Sequence, residues 1–95
     1  MDLIISDEPD QQRYVARRDG ELVGLIAYQV DGTVITMVHT EVLPAYEGQG
    51  VAGRLARYAL DDTRQRGRHV RPVCPYVDAW IKRHPDYADL VEAQR

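Results

Sequence analysis

The 95-residue chain contains a single cysteine, so no disulfide can form within it, and a zinc site would have to use histidines and carboxylates. No apolar run approaches the ~18 residues that a membrane-spanning helix needs. The N-terminal residues lack the basic segment that precedes the apolar region of a secretory signal. We therefore expect a cytoplasmic protein without a membrane partner.

An excess of basic residues is also missing. The chain has 12 Lys and Arg against 15 Asp and Glu, a formal net charge of -3, which disfavours nucleic acid as a partner. Hydrophobic residues make up 44%, as in ordinary folded proteins. This length predicts one domain, residues 1–95, whose small core is compatible with a monomer or a homodimer.

Two Asp-Gly pairs, at residues 19–20 and 31–32, are typical of tight hairpin turns because both positions tolerate positive φ. The β-rich segments around them predict a three-stranded antiparallel meander over residues 12–17, 22–30 and 33–42. Only the two ends of the chain, residues 1–12 and 90–95, are expected to be flexible.

Strict alternation along the third predicted strand would place four side chains on one face. These are Ile35, Met37, His39 and Glu41. The valines and threonines between them, from Val34 to Val42, would occupy the other face.

The second half of the chain changes its period. Apolar residues from Val51 to Leu60 recur at helical spacing, and Gly67 ends that helix. A short strand over 69–73, a short helix over 76–83 and a last turn over 86–91 follow. The predicted order is β-β-β-α-β-α, an α/β fold with a mostly antiparallel mixed sheet and one parallel pair, closed by a right-handed crossover.

The loop that opens the long helix is the most informative segment. The first N–H groups of a helix lack internal acceptors, and Gly48 and Gly50 allow an anion to approach the backbone. A phosphate or pyrophosphate site is therefore predicted there, with Arg54 adding a charge-assisted bond. The loop lacks the Walker A ending and the dinucleotide-binding spacing. The alternative that the glycines merely turn the chain into a helix stays open.

The segment from Leu43 to Leu55, Leu-Pro-Ala-Tyr-Glu-Gly-Gln-Gly-Val-Ala-Gly-Arg-Leu, resembles the acyl-CoA-binding motif of the GNAT acetyltransferase superfamily. That motif reads Arg/Gln-x-x-Gly-x-Gly/Ala. Gly50 and Ala52 match its last two defined positions, and Glu47 stands where Arg or Gln is usual. The resemblance extends over residues 12–90 and is strongest to a branch of small single-domain GNAT-like proteins.

The resemblance implies a GNAT-like sheet whose parallel pair is splayed at the CoA site, and a transferase that uses acetyl-CoA as cosubstrate. Backbone amides of the loop would hold the pyrophosphate, the end of the preceding strand would line the pantetheine, and a basic pair would reach the adenosine phosphates. The implied cofactor-binding residues are Leu43, Gln49, Gly50, Val51, Ala52, Gly53, Arg54, Lys82 and Arg83.

Three residues are candidates for catalysis. His39 is a candidate base, because imidazole side chains accept protons readily near neutral pH. Cys74 falls where the small branch carries a cysteine, and it requires an adjacent base or helix N-terminus to react as a thiolate. Tyr76 stands where many GNAT enzymes have a tyrosine that protonates the departing thiolate. Structural roles remain as alternatives: a hydrogen-bonded sheet histidine, a buried apolar cysteine and a packed tyrosine ring.

These observations favour an N-acetyltransferase that acts on a small-molecule or peptide amine, by direct attack or through an acetylated Cys74. One alternative is a CoA-binding module with little turnover, since the tight Asp19-Gly20 turn leaves no room for helices that would form an acceptor site. Another is an interaction domain that binds no CoA. The three histidines show no ligand spacing, so no metal is expected.

Overall fold

The computed structural model describes residues 2–93. Five strands form one sheet in the order β1-β2-β3-β4-β5, and two helices follow the fourth and fifth strands. The strands are β1 (Ile4–Glu8), β2 (Arg13–Arg18), β3 (Glu21–Asp31), β4 (Val34–Val42) and β5 (His69–Pro72). The helices are α1 (Val51–Gln65) and α2 (Pro75–Arg83), and short 3-10 turns cover Pro9–Gln11, Pro44–Tyr46 and Pro85–Leu90.

The first four strands pair antiparallel, and β4 and β5 pair parallel. The predicted meander, crossover helix and parallel pair are therefore confirmed. Asp19-Gly20 forms the turn between β2 and β3, as predicted. The turn between β3 and β4 is Gly32-Thr33, one residue later than predicted, because Asp31 still pairs with Val34 as the last residue of β3. Asp19, Gly20 and Gly32 have positive φ. Neither helix within residues 2–93 has the length and composition needed to cross a lipid bilayer.

Strand β1 was not predicted, and the expectation of a flexible first segment is wrong for Ile4–Glu8. This strand pairs with β2 along its whole length, and Glu8 accepts hydrogen bonds from Arg13 and Arg17 at 2.8 and 2.9 Å. Its sequence, Ile-Ile-Ser-Asp-Glu, has neither alternation nor a turn signal. Its place in the sheet depends on partners elsewhere in the chain, which periodicity does not reveal.

The C-terminal end is also held to the sheet as far as Glu92. Val91 forms a parallel bridge with Val70 of β5, and Glu92 accepts two hydrogen bonds from Arg71, each at 2.7 Å. Flexibility was expected from residue 90 onward, so that expectation is wrong for Val91 and Glu92. Residues 94 and 95, for which the same was expected, lie outside the described residues.

The core lies on one face of the sheet, between the strands and both helices. A single hydrophobic cluster joins Tyr14 and Ala16 of β2 to Leu55 of α1 and Trp80 of α2. Val15, between the two β2 residues, faces the other way and lies outside this cluster although it is fully buried. No helix within residues 2–93 covers that second face.

A β-bulge interrupts the alternation of β4. His39 pairs with Ala27 of β3, whereas Met37 pairs with the next residue, Tyr28. Val38 is therefore an extra residue on β4 that has no pairing partner on β3. Because a bulge reverses which face the following side chains occupy, the predicted grouping of Ile35 and Met37 with His39 and Glu41 is wrong.

Beyond the bulge, Thr40 and Val42 join the face that carries Met37. Thr40 and Val42 are half-buried, and Val42 packs against the core cluster. His39 and Glu41 are exposed on the opposite face. The predicted assignment of side chains to the two faces of this strand therefore holds from Val34 to Met37. Beyond the bulge the two faces are exchanged.

The parallel pairing of β4 and β5 covers only half of β4. It runs from Val34, opposite His69, to Met37, opposite Pro72, and the amide of Cys74 then donates to the Met37 carbonyl at 2.9 Å. Within residues 2–93, no strand pairs with residues 38–42 on that side, because β5 ends at Pro72. We call this unpaired side of β4 the gap; the splay of the two parallel strands that the resemblance implies stays a prediction.

Candidate functional site

The loop between β4 and α1 bends through two glycines in the left-handed region. Gly48 has φ 78° and Gly50 has φ 81°, and no atom of another residue would obstruct a side chain at either position. The backbone conformation, rather than crowding, therefore requires glycine here. The resulting turn directs the chain from the sheet edge into α1.

Gly50 is the N-cap residue of α1 and provides no side chain to cap the helix. The first bond of the helix runs from the Arg54 amide to the Gly50 carbonyl at 3.1 Å, so the amides of residues 51–53 have no acceptor within the helix. Gln49 does not replace the cap, because its side-chain amide donates to the Ala45 carbonyl at 3.2 Å. The amides and the dipole of a 15-residue helix make this corner attractive to an anion.

A cleft of about 260 Å³ lies at this corner. It joins the glycine loop and the first turn of α1 to the end of β4 and the start of α2. Its lining residues are Val42, Tyr46, Glu47, Gly48, Gly50, Val51, Ala52, Gly53 and Tyr76. One end of the cleft thus presents backbone amides, and the other end presents valine and tyrosine side chains.

The predicted cofactor residues fall into two groups. Gly50, Val51, Ala52 and Gly53 line the cleft, whereas Leu43, Gln49, Arg54, Lys82 and Arg83 do not. Leu43 lies at the end of β4 with a 41% exposed surface. Lys82 forms an ion pair with Asp78 of α2 at 3.0 Å. Both residues of the basic pair at the end of α2 are exposed and are not among the residues that line the cleft.

Tyr76 is the second residue of α2 and forms a wall of the cleft. A side-chain carbon added at Gly53 would lie 3.7 Å from the Tyr76 hydroxyl, so this hydroxyl borders the first turn of α1. Burial raises the pKa of Tyr76, and the positive charge of Arg83 opposes part of that rise. The phenol is therefore neutral at physiological pH and able to donate a hydrogen bond.

Cys74 lies directly before α2, at the gap between the parallel strands. Its side chain is buried, and its sulfur is 3.2 Å from the hydroxyl oxygen of Thr40. Although Cys74 is the N-cap residue of α2, its side chain makes no capping bond to that helix. The thiol is directed toward β4, where the bulge has placed Thr40.

His39 is separated from this pair. Its imidazole Nε2 lies 3.1 Å from a carboxylate oxygen of Glu41, on the exposed face of β4. Within residues 2–93, His39 and Cys74 share no hydrogen bond. The structure brings Cys74 close to Thr40 and Tyr76, but it does not bring His39 to the thiol.

Sequence reasoning missed Thr40, Tyr46 and Glu41 as residues of this region, whereas Val42 is the strand end that was expected to line the pantetheine. Thr40 and Glu41 follow the bulge, for which the sequence carries no signal. Tyr46 closes the short 3-10 turn, and its hydroxyl donates to Glu21 at 3.3 Å. In the part of the chain that the structure describes, no group of three His, Cys, Asp or Glu side chains is arranged to hold a metal ion.

The chain resembles several known proteins. The model of a family described as GCN5-related N-acetyl-transferase matches residues 13–90. Protein NATD1 of Mus musculus is 32% identical over 82 residues, which cover 82% of this chain and 74% of the mouse protein.

Two solved structures share the fold. A GCN5-like protein from Staphylococcus aureus, solved by NMR, superposes with a TM-score of 0.74 at 20% identity, over 98% of this chain and 91% of that one. A GNAT family acetyltransferase from Brucella melitensis, crystallised with acetyl-CoA, gives a TM-score of 0.58 at 26% identity, over 76% of this chain and 50% of that one.

Proposed function

Because the chain belongs to the GCN5-related N-acetyltransferase family, we propose that it transfers an acetyl group from acetyl-CoA to an amine. The acceptor is a small-molecule or peptide amine. Its nitrogen attacks the thioester carbonyl carbon, a C–N bond forms and the C–S bond breaks. The nitrogen loses a proton, and the CoA thiolate gains one. The observation that carries this proposal is the cleft that joins the free amides of α1 to the gap beside β4.

The amides of residues 49–53 bind the pyrophosphate in this proposal; the amide of Arg54, which the resemblance also implies for this site, already donates to the Gly50 carbonyl within α1. The approach of a doubly charged group is favoured by the uncapped N-terminus of α1 and by the absence of a side chain at Gly50. The pantetheine then follows Val42 and Leu43 toward the gap, where Tyr76 packs against it. Lys82 and Arg83 are assigned to the adenosine phosphates by the family resemblance alone.

His39 is proposed as the base that accepts the proton of the attacking amine. Its exposure, 57% of the side chain, and its contact with Glu41 are compatible with an acceptor that arrives from the open face of the sheet. Tyr76 and Cys74 are the two candidates that protonate the CoA thiolate from the other side of the gap. A base and an acid on opposite faces suit a direct transfer between two bound substrates.

The direct path is favoured over an acetylated Cys74. A cysteine nucleophile is usually activated by an adjacent base, and the described neighbour of this thiol is a hydroxyl rather than the His39 imidazole. Incubation with acetyl-CoA and no acceptor, followed by intact-protein mass spectrometry, distinguishes the two paths. We expect no acetyl adduct on Cys74, and accumulation of one would establish the covalent path instead.

A second candidate function is CoA binding with little turnover. It is favoured by the short connection between β1 and β2, residues 9–12, whose only element is the 3-10 turn Pro9–Gln11, so that no helix within residues 2–93 covers the face on which His39 lies. Assays with a panel of amines, polyamines and peptides separate the two functions. Acetyl-CoA binding without transfer to any amine would support the binding module.

The test of the site is a titration with acetyl-CoA, read by calorimetry and by thermal unfolding. A specific ligand at ~100 times its dissociation constant stabilises the folded state by about 2.7 kcal/mol. Gly50→Pro removes an amide and forbids the φ of 81°, so we expect it to lose this stabilisation. Gly32→Ala, a matched change at a positive-φ glycine of the β3–β4 turn, is expected to retain it. Equal binding by the two variants would disprove the assigned site.

A further inference from the structure

Thr40 is the described hydrogen-bonding partner of the Cys74 sulfur, at 3.2 Å in a partly buried position. The two residues belong to elements that have just separated, since the parallel pairing of β4 and β5 ends at Met37 and Pro72. Neither side chain lines the cleft itself, and Cys74 is buried, so the pair lies beneath the cleft, just beyond the end of the parallel pairing. In the proposed function, the sulfur of a CoA that follows the unpaired edge of β4 comes to lie beside this pair.

The bulge at Val38 decides which residue meets Cys74. Without the extra residue, strict alternation would direct His39 to the core face, beside the thiol. With it, His39 turns to the open face and Thr40 takes its place. The group beside the Cys74 thiol is therefore a hydroxyl instead of an imidazole, and this changes the chemistry that the thiol can perform.

A hydroxyl is a poor base for a thiol but a good hydrogen-bond donor to sulfur. Thr40 has one hydroxyl proton, and among residues 2–93 no side chain other than Cys74 forms a hydrogen bond with its oxygen. When this proton points to the Cys74 sulfur, the thiol's own proton stays available to another acceptor. A donated hydrogen bond also stabilises the sulfur once it carries negative charge.

We infer that Thr40 is a positioning residue for Cys74, holding its thiol so that the S–H group donates to the sulfur of the departing CoA. This inference rests on the proposed function. As the C–S bond of the tetrahedral intermediate breaks, the electron pair remains on the CoA sulfur, and the Cys74 proton moves to it. The Cys74 thiolate is held by the Thr40 hydroxyl and regains a proton from solvent, while the acceptor's proton leaves through His39. The sum is acetyl-CoA plus amine giving amide plus CoA thiol.

The matched variants are Thr40→Val, which keeps the shape and removes the hydroxyl, and Thr40→Ser, which keeps the hydroxyl. Their melting temperatures establish that both remain folded. The readout needs no acceptor: it is the ratio of the dissociation constants of CoA and acetyl-CoA, measured by calorimetry from about pH 7 to about pH 10, the range in which thiols ionise. Acetyl-CoA has no free thiol. The ratio of the two dissociation constants therefore reports the ionisation of the CoA thiol beside Cys74.

In the wild type and in Thr40→Ser, CoA is expected to gain affinity over acetyl-CoA as the pH rises, because the bound thiolate accepts the Cys74 proton. In Thr40→Val this gain is expected to fall by about tenfold, the usual effect of losing a hydrogen bond to a charged group. Cys74→Ala should lose it as well. An identical pH profile for Thr40→Val and wild type, with tight binding retained, would overturn the role of Thr40 and leave the proposed function standing. Failure of the wild type to bind either molecule would overturn both.

Discussion

The hydroxyl of Tyr14 in β2 donates a hydrogen bond of 2.8 Å to Asp62 of α1, across 48 residues of sequence. The same carboxylate accepts a bond from Arg66 at 2.9 Å, and the fully buried Tyr14 ring packs against Tyr28 with centroids 5.0 Å apart. This contact attaches the helix that begins at the proposed CoA site to the middle of the sheet. Its loss is expected to affect the stability of the whole domain.

Tyr14→Phe is expected to lower the free energy of unfolding at neutral pH by about 1–2 kcal/mol, the usual effect of removing one partner of a buried hydrogen bond. The ring and its packing remain, so the fold is retained. Urea denaturation of wild type and variant measures the difference. Tyr58→Phe, a change at an exposed tyrosine of α1, is the control and should leave the midpoint unchanged.

Alkaline pH is expected to destabilise the protein through its buried tyrosines. Burial raises the pKa of Tyr14 and of Tyr28, and the hydrogen bonds to Asp62 and Asp7 raise them further. A pKa raised in the folded state leaves stability intact below the unfolded value, near pH 10, and removes it as the pH rises above that value. The free energy of unfolding, measured by denaturation at pH values below and above 10, should therefore fall more steeply with pH for wild type than for Tyr14→Phe. An equal dependence on pH in the two proteins would contradict this.

Acid is expected to loosen the first strand. Hydrogen bonds from Arg17 and Arg13 hold the pKa of Glu8 below its ordinary value. A lowered pKa contributes stability above the unfolded value, near 4.3, and that contribution disappears as the pH falls through the folded value. Glu8→Gln should thus be less stable than wild type at pH 7, and the two should converge in acid. Glu41→Gln, on the exposed part of β4, is a control, and a difference that persists below pH 3 would count against the ion pair.

Glu47 places a negative charge on the lining of a cleft proposed to bind a pyrophosphate. Glu47→Gln is expected to tighten CoA binding by about two- to fivefold, since an exposed charge at this range contributes up to ~1 kcal/mol. Because salt screens such interactions, the gain should shrink as ionic strength rises. Calorimetry at two salt concentrations measures it. Asp31→Asn at the far turn serves as the neutral control, and an equal gain there would indicate a general charge effect.

Local chemistry explains which parts of the fold were predictable. Asp19-Gly20 and Gly32 mark the two hairpin turns because their backbone preferences are properties of the residues themselves. The helix that begins at Val51 is predicted by the helical spacing of its apolar residues. Gly50, which has no side chain to cap that helix, indicates the anion site at its N-terminus. All of these signals lie within a few residues of the structure that they predict.

The remaining features depend on partners distant in sequence. Strand β1 is defined by its ladder with β2 and by Tyr28, whose hydroxyl donates to Asp7. The bulge at Val38 exists only relative to Ala27 and Tyr28 of the neighbouring strand. Because a bulge exchanges the faces of all residues beyond it, one unpredicted residue sufficed to separate His39 from Cys74.

Residues 9–12 are the entire link between the first two strands. The free energy of closing a loop grows only slowly with its length, so additional segments inserted at this link would leave the register of the other strands unaltered. Such an insertion would begin beside Tyr28 and Arg66, since Pro9 and Gln12 line a second cleft with them at the C-terminal end of α1. The link is therefore a position at which this fold can gain a further segment without rebuilding its interior.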